Sequence, residues 1–291
     1  MFIHYAQPDL CHGKSLLYII LKKMKRLFSI ISLSALLFSA CSKKDDATPD
    51  FTESEKGALS IQFDNIVGDK KLILNNGIYK NALGQQFSVS LLQYYISNIK
   101  LKTSEGQEYT VPQDSSYFLI NESDAATHFA KVKVPVADYQ YLTFTIGVDS
   151  LRSTMDISKR TGSLDPAGDH STTGMYWSWN SGYIFMKLEG SAADASSADK
   201  KIRYHIGGFG GYSAPGINNI KTVTIDLKAA GIAKVRKDRS SNIHLFADVL
   251  KVFNGTTNVS FSANPTVMSG TFSTLIANNY INMFTHDHTE N

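Results

Sequence analysis

An all-β fold, an antiparallel β-sandwich with short helical turns in a single domain, is the architecture that this sequence predicts. Three observations predict it. Apolar and polar residues alternate with period two in many short runs rich in β-branched and aromatic residues. Those runs are bounded by Gly, Asn, Asp or Pro, and no long amphipathic helices lie between them. The composition, 43% hydrophobic and only 19% charged over 291 residues, excludes a disordered chain.

The first element is a leader. Met24-Lys25-Arg26 precedes an apolar run of 14 residues, Leu27 to Ala40, which is too short to span a bilayer and has the form of a secretory signal. Met24 reads as the start and residues 1–23 as an upstream extension; a long cationic n-region is the alternative. The run ends Leu37-Phe38-Ser39-Ala40-Cys41, which resembles a bacterial lipobox, so Cys41 is expected to be acylated after cleavage. The alternative is a plain cleavable signal with an incidental cysteine. Of the two cysteines, Cys11 and Cys41, only Cys41 survives processing, which rules out an internal disulfide. Residues 41–57 then form a flexible polar tether. Its Asp45-Asp46 pair resembles the surface-export signal of Bacteroidetes lipoproteins. The expectation is an outer-membrane lipoprotein facing the periplasm or the cell surface, with its membrane contact made through the anchor.

The basic balance belongs to that leader. Of 29 Lys and Arg and 26 Asp and Glu, residues 1–40 hold five and one, so the body carries 24 against 25, a net charge of −1. Such a body has no electrostatic footprint for nucleic acid.

Residues 58–291 are expected to form the sandwich. Leu59, Ile61 and Phe63 alternate with Ser60, Gln62 and Asp64. Further strands are predicted at Gln86–Leu91, Tyr94–Leu101, Tyr117–Ile120, Val132–Val136, Tyr141–Val148, Tyr183–Leu188, Lys201–Ile206, Ile220–Leu227, Ile243–Leu250 and Asn258–Ser262. Helical turns are predicted at Leu151–Ser158 and Ser273–Phe284. Gly190–Lys200 reads as a hairpin loop and Thr161–Gly174 as a longer one.

No motif for nucleophilic or phosphate chemistry is present. Gly207-Gly208-Phe209-Gly210-Gly211 lacks the Lys-Ser/Thr of a phosphate loop and opens no helix, so it reads as a turn. No Gly-x-Ser-x-Gly elbow marks a hydrolase. Two other features stand out. Met175 to Gly190 contains both tryptophans, and on a strand Trp177 and Trp179 would share one face, although core packing accounts for either alone. Beyond the leader lie His128, His170, His205, His244, His286 and His288. Imidazole is the commonest metal ligand and suits copper and zinc. His286 and His288 share a face only on extended backbone, and a pair in a tail is more often solvated. His205 stands at a strand end beside the glycine loop.

At these residues the chain resembles the MbnP-like copper-binding proteins. The segment from Met175 to Gly190, Met175-Tyr176-Trp177-Ser178-Trp179-Asn180-Ser181-Gly182-Tyr183-Ile184-Phe185-Met186-Lys187-Leu188-Glu189-Gly190, carries the resemblance. Leu92 to Ile99, Val148-Asp149-Ser150-Leu151, Leu164-Asp165-Pro166, His205-Ile206-Gly207 and Asn279 to Phe284 support it. The resemblance implies an exported, non-enzymatic β-rich protein that binds copper. It also implies a dihaem partner of the cytochrome-c-peroxidase/MauG type that oxidises a tryptophan to kynurenine. Carried onto this chain, it implies Trp177 or Trp179 as the modified residue and His205 and His288 as ligands, with His286 a further one. The resemblance also implies a histidine, present in many relatives, after the first strand's Phe-Asp pair; this chain has Asn65 after Phe63-Asp64, a departure that implies weaker affinity, a different ligand such as His286, or a member that has lost metal. The rival expectation is a surface lipoprotein whose aromatics bind a glycan or another protein without metal.

Overall fold

The computed structural model describes residues 51, 55–166, 174–177 and 182–291. The leader, Cys41, His170 and Trp179 lie outside them. Along the chain run β1 (Lys56–Val67), β2 (Lys70–Lys71), β3 (Tyr79–Lys80), β4 (Gln86–Thr103), β5 (Glu108–Thr110), β6 (Tyr117–Asn121), β7 (Phe129–Pro135), β8 (Asp138–Ile146), α1 (Ser150–Thr154), β9 (Tyr176–Trp177), β10 (Gly182–Ser191), β11 (Lys201–Gly207), β12 (Lys221–Asp226), β13 (Ala233–Lys234), β14 (Ser241–Asp248), α2 (Leu250–Phe253), β15 (Thr266–Val267), α3 (Thr271–Tyr280) and β16 (Phe284–Glu290). No helix among the described residues is long and apolar enough to cross a membrane.

The strands form two sheets packed face to face, the sandwich that the alternation predicts. The smaller runs β16–β14–β1, with β7 along the other edge of β1 and β2 at its end. The larger runs β12–β8–β4–β10–β11–β15, with shorter strands added on β4, β8 and β10. Most pairs are antiparallel as expected. The exceptions are β11 with β15, and β1 with β14, which run parallel with Leu59 opposite Ser241 and Ile66 opposite Asp248. Period-two alternation fixes which face a residue takes, not which way its neighbour runs.

Leu59, Ile61 and Phe63 point into the core. Phe63 meets Tyr94, Phe144 and Phe284 edge-on at 6.3, 5.8 and 5.8 Å between ring centroids, joining both sheets. Gln86–Leu91 and Tyr94–Leu101, predicted as separate strands, are one 18-residue strand, β4. Its pairing with β10 shifts register near Leu91, and its pairing with β8 shifts near Asn98, whose φ is +52°. These irregularities break the alternation without ending the strand.

Residues 92–97 of β4 are buried on both faces. Leu92, Tyr94 and Ile96 enter the main core, whereas Tyr95 joins a second cluster with Tyr183, Phe185, Phe209 and Met175 on the outer side of the larger sheet. Asn258–Ser262 is not a strand. Val259 and Phe261 are buried, but side chains meet their backbone: Asn81 Nδ2 donates to the Val259 carbonyl and Gln85 Oε1 accepts from the Phe261 amide. The predicted helix through Phe284 stops at Tyr280, and the residues read as a tail form β16, paired to β14.

Candidate metal centre

The site begins with the period-two pattern of β14. Ile243, Leu245 and Ala247 face the core, which puts His244 on the outer face of the smaller sheet. On β16 the register places His288 opposite His244 and His286 opposite Leu245, so Asp287 is an extra residue in a bulge. A bulge re-aims side chains, and here the Asp287 carboxylate reaches both outer imidazoles. Asp287 Oδ2 lies 2.8 Å from His244 Nδ1 and 2.8 Å from His288 Nδ1. The two rings are 4.9 Å apart between centroids, and one ligand atom from each of the three residues falls within 4.8 Å of the others. Among the described residues no other group of three or more His, Cys, Asp or Glu is gathered this way.

Two further carboxylates border the site: Asp64 Oδ2 is 3.8 Å from His244 Nε2, and Glu290 Oε1 is 3.6 Å from His288 Nε2. His244 is 9% exposed and packs against Phe246, so one ligand is firmly held. Hydrogen bonds from His288 and His244 hold the Asp287 carboxyl below its usual range. The same bond to Asp287 raises the His288 imidazole. Two imidazole nitrogens and a carboxylate oxygen at this spacing form a donor set for a borderline divalent cation such as copper or zinc.

The predicted site residues divide between two surfaces. His288 belongs to the cluster. His286 is two positions along β16 but opposite inward-facing Leu245; its Nε2 lies 2.9 Å from Thr289 Oγ1, and burial lowers its pKa. His205 is not with them. On β11, Ile202, Tyr204 and Ile206 enter the core, so His205 takes the outer face of the larger sheet, bonded to Glu189 Oε1 at 2.7 Å. Burial lowers its pKa despite that carboxylate.

Trp177 is on the same side as His205. Its ring covers Gly207, where an added Cβ would come 2.7 Å from Cζ3, and it borders a cavity of about 200 Å³ with the glycine loop and Tyr212. The structure thus brings Trp177 towards His205 and keeps both across the sandwich from His244 and His288. Trp179 lies outside the described residues. Asn65 is 2% exposed and fully engaged: Nδ2 donates to Glu122 Oε2 at 2.9 Å and Oδ1 accepts from Tyr94 Oη at 2.9 Å.

Sequence reasoning missed His244 and Asp287. The outward phase of His244 was legible in Ile243-His244-Leu245, but its partner depends on a pairing 43 residues apart, and Asp287 depends on the bulge.

The MbnP family model matches residues 56–269, a span that includes Trp177, His205 and His244 and ends before Asp287 and His288. Among solved structures, MbnP from Methylosinus trichosporium is similar over 74% of this chain and 83% of that chain, with 14% identity and a TM-score of 0.50, a likeness of fold. Among curated proteins nothing matches. With more than half of its length covered by the family model, this chain belongs to the MbnP family.

Proposed function

We propose that this protein is an exported, lipid-anchored copper-binding protein, tethered through Cys41, that holds Cu(II) at His244, His288 and Asp287. It performs no catalysis itself and is a substrate for a dihaem MauG-like partner. The MbnP family is associated with copper binding. The observation that carries the reading is the convergence of two imidazoles on one carboxylate oxygen, each at 2.8 Å. Nitrogen and oxygen donors suit the tetragonal preference of Cu(II), and the bound ion would supply a one-electron redox centre. His244 would be the fixed ligand, His288 the exposed one, and Asp287 the anionic one that offsets the ion's charge.

Oxidation to kynurenine would fall on Trp177 or Trp179. For Trp177, support comes from its place beside an open cavity and from the rings behind it: Tyr176 and Tyr183 are 5.2 Å apart, and Tyr183 and Tyr95 5.7 Å. A modified Trp177 would face His205 rather than the histidine cluster. That shared face favours a second reading, copper at His205 beside the oxidised residue.

Cu(II) titration followed by electron paramagnetic resonance separates the two. His244→Ala with His288→Ala is expected to weaken binding by about a hundredfold or more, while His205→Ala leaves it intact. The reverse pattern moves the copper to His205, and indifference to both removes the metal reading. Mass spectrometry of the natively produced Trp177–Trp179 peptide reads the maturation; an unshifted mass beside an expressed partner opposes it.

A further inference from the structure

We infer that the groove formed by the beginning of β1, β7 and the segment following β5 binds an anionic amphiphile, a free long-chain monocarboxylate. The groove encloses about 780 Å³, within the ~300–1,000 Å³ typical of small-molecule sites. Its charge is one-sided. Lys56, Lys131 and Lys133 line it and no carboxylate does. Among the described residues none of these three ammonium groups forms an ion pair, although neighbouring Lys237 and Arg236 pair with Glu55 and Asp138. Lys56 Nζ instead donates to Tyr109 Oη at 3.2 Å, and Lys131 Nζ lies 5.5 Å from the Phe129 ring centroid.

The walls are apolar: Leu59, Val111, Pro112 and Val132 all line the groove. The Ser60 hydroxyl is also in the lining, buried and without a hydrogen-bond partner among the described residues. Buried polar groups normally have partners, and a χ1 rotation that turns this hydroxyl into the groove would give it a carboxylate oxygen.

Lysines on an edge strand also serve to discourage strand addition, and β7 is such an edge. That role requires neither a concavity, nor apolar walls, nor an orphan hydroxyl. Three cations over an apolar cleft complement a ligand with a negative head and a hydrocarbon body. The concavity favours a free molecule over a bilayer surface. None of the groove residues belongs to the histidine cluster, so the inference stands apart from the copper reading.

The test is calorimetric titration of the full chain with laurate, beside acetate, dodecyltrimethylammonium and dodecyl maltoside, plus sedimentation with phosphatidylglycerol vesicles using a Cys41→Ser chain. Laurate is expected to saturate one site and to bind at least tenfold more weakly to the Lys131→Glu, Lys133→Glu chain. The acetate and the cationic and neutral detergents are expected to show no saturable binding. Circular dichroism checks that the two exposed substitutions leave the fold intact, and Ser60→Ala provides a milder variant, expected to weaken laurate severalfold. Absence of saturable laurate binding, equal affinity for the neutral detergent, or indifference to both variants overturns the inference. So does vesicle binding that the lysine substitutions abolish while laurate binding survives.

Discussion

Replacing Gly207 by alanine tests where Trp177 lies. The new methyl carbon would stand 2.5 Å from the Tyr183 carbonyl oxygen, 2.7 Å from Cζ3 of Trp177 and 3.3 Å from its Cη2. Carbon contacts are comfortable at ~3.5–4.0 Å, so the indole must retreat by about 1 Å. The Tyr183 carbonyl belongs to β10, which pairs with β11 at this point, Ile184 opposite Gly207. Trp177 is held on the two-residue β9 and yields more easily. Overpacking of this kind costs about 1–3 kcal/mol, while loss of glycine's freedom in the unfolded chain returns about 0.4–1 kcal/mol. The difference spans about 0–2.6 kcal/mol, and because the clash with the Tyr183 carbonyl adds to that with the indole, the net destabilisation falls at about 1–2 kcal/mol. At about 2–4 °C per kcal/mol for a domain of this size, Tm should fall by about 2–8 °C. Thermal melts give that shift, and fluorescence in a Trp179→Phe background reports the indole, whose emission should move to the red as the ring leaves the strand. An unchanged Tm together with unchanged emission would refute the placement of Trp177 over Gly207.

Two further predictions concern buried charge. His205 has its pKa lowered by burial, so acidification protonates the unfolded chain first; its contribution is complete above the unfolded value of about 6.5 and declines as pH falls through it. Urea midpoints measured between about pH 5 and about pH 7 should therefore flatten in His205→Gln, and an unaltered slope would defeat the assignment. His288 has the opposite sign, raised by Asp287 and losing its contribution as pH rises, so the comparison is best made in a His288→Gln background. Arg160, 5% exposed, donates to the Ser153 and Met155 carbonyls at 2.9 and 2.7 Å and lies over the rings of Tyr176 and Tyr183. Lysine cannot reproduce that fork, so Arg160→Lys should cost about 2–4 kcal/mol in urea unfolding; a loss under about 0.5 kcal/mol would contradict it.

Much of the sandwich was legible because burial on one face leaves a period-two trace, as in Leu59, Ile61 and Phe63. The trace fails where both faces are covered, as at residues 92–97, or where side chains replace a ladder, as Asn81 and Gln85 do for Val259 and Phe261. Site residues were harder to foresee. His288 could be named from its chemistry, but its companions His244 and Asp287 are set by strand pairing and by one extra residue in a bulge. His205 and Trp177, joined to His288 by resemblance, carry no sequence mark of which sheet they occupy. Topology puts them on the larger one.

The parallel pairing of β1 with β14 also orders events during synthesis. Asn65 on the earliest described strand meets Ala247, and Ile66 meets Asp248, roughly three-fifths of the chain later. At about 5–20 residues per second, a ribosome needs about 10–40 s to make that interval. Until then β1 can be partnered only by β7 and β2, with the Phe63 ring awaiting its Phe284 neighbour from the last strand made. The half-sheet must be tolerated or shielded throughout, so the nascent chain, more than the finished one, is where aggregation would begin.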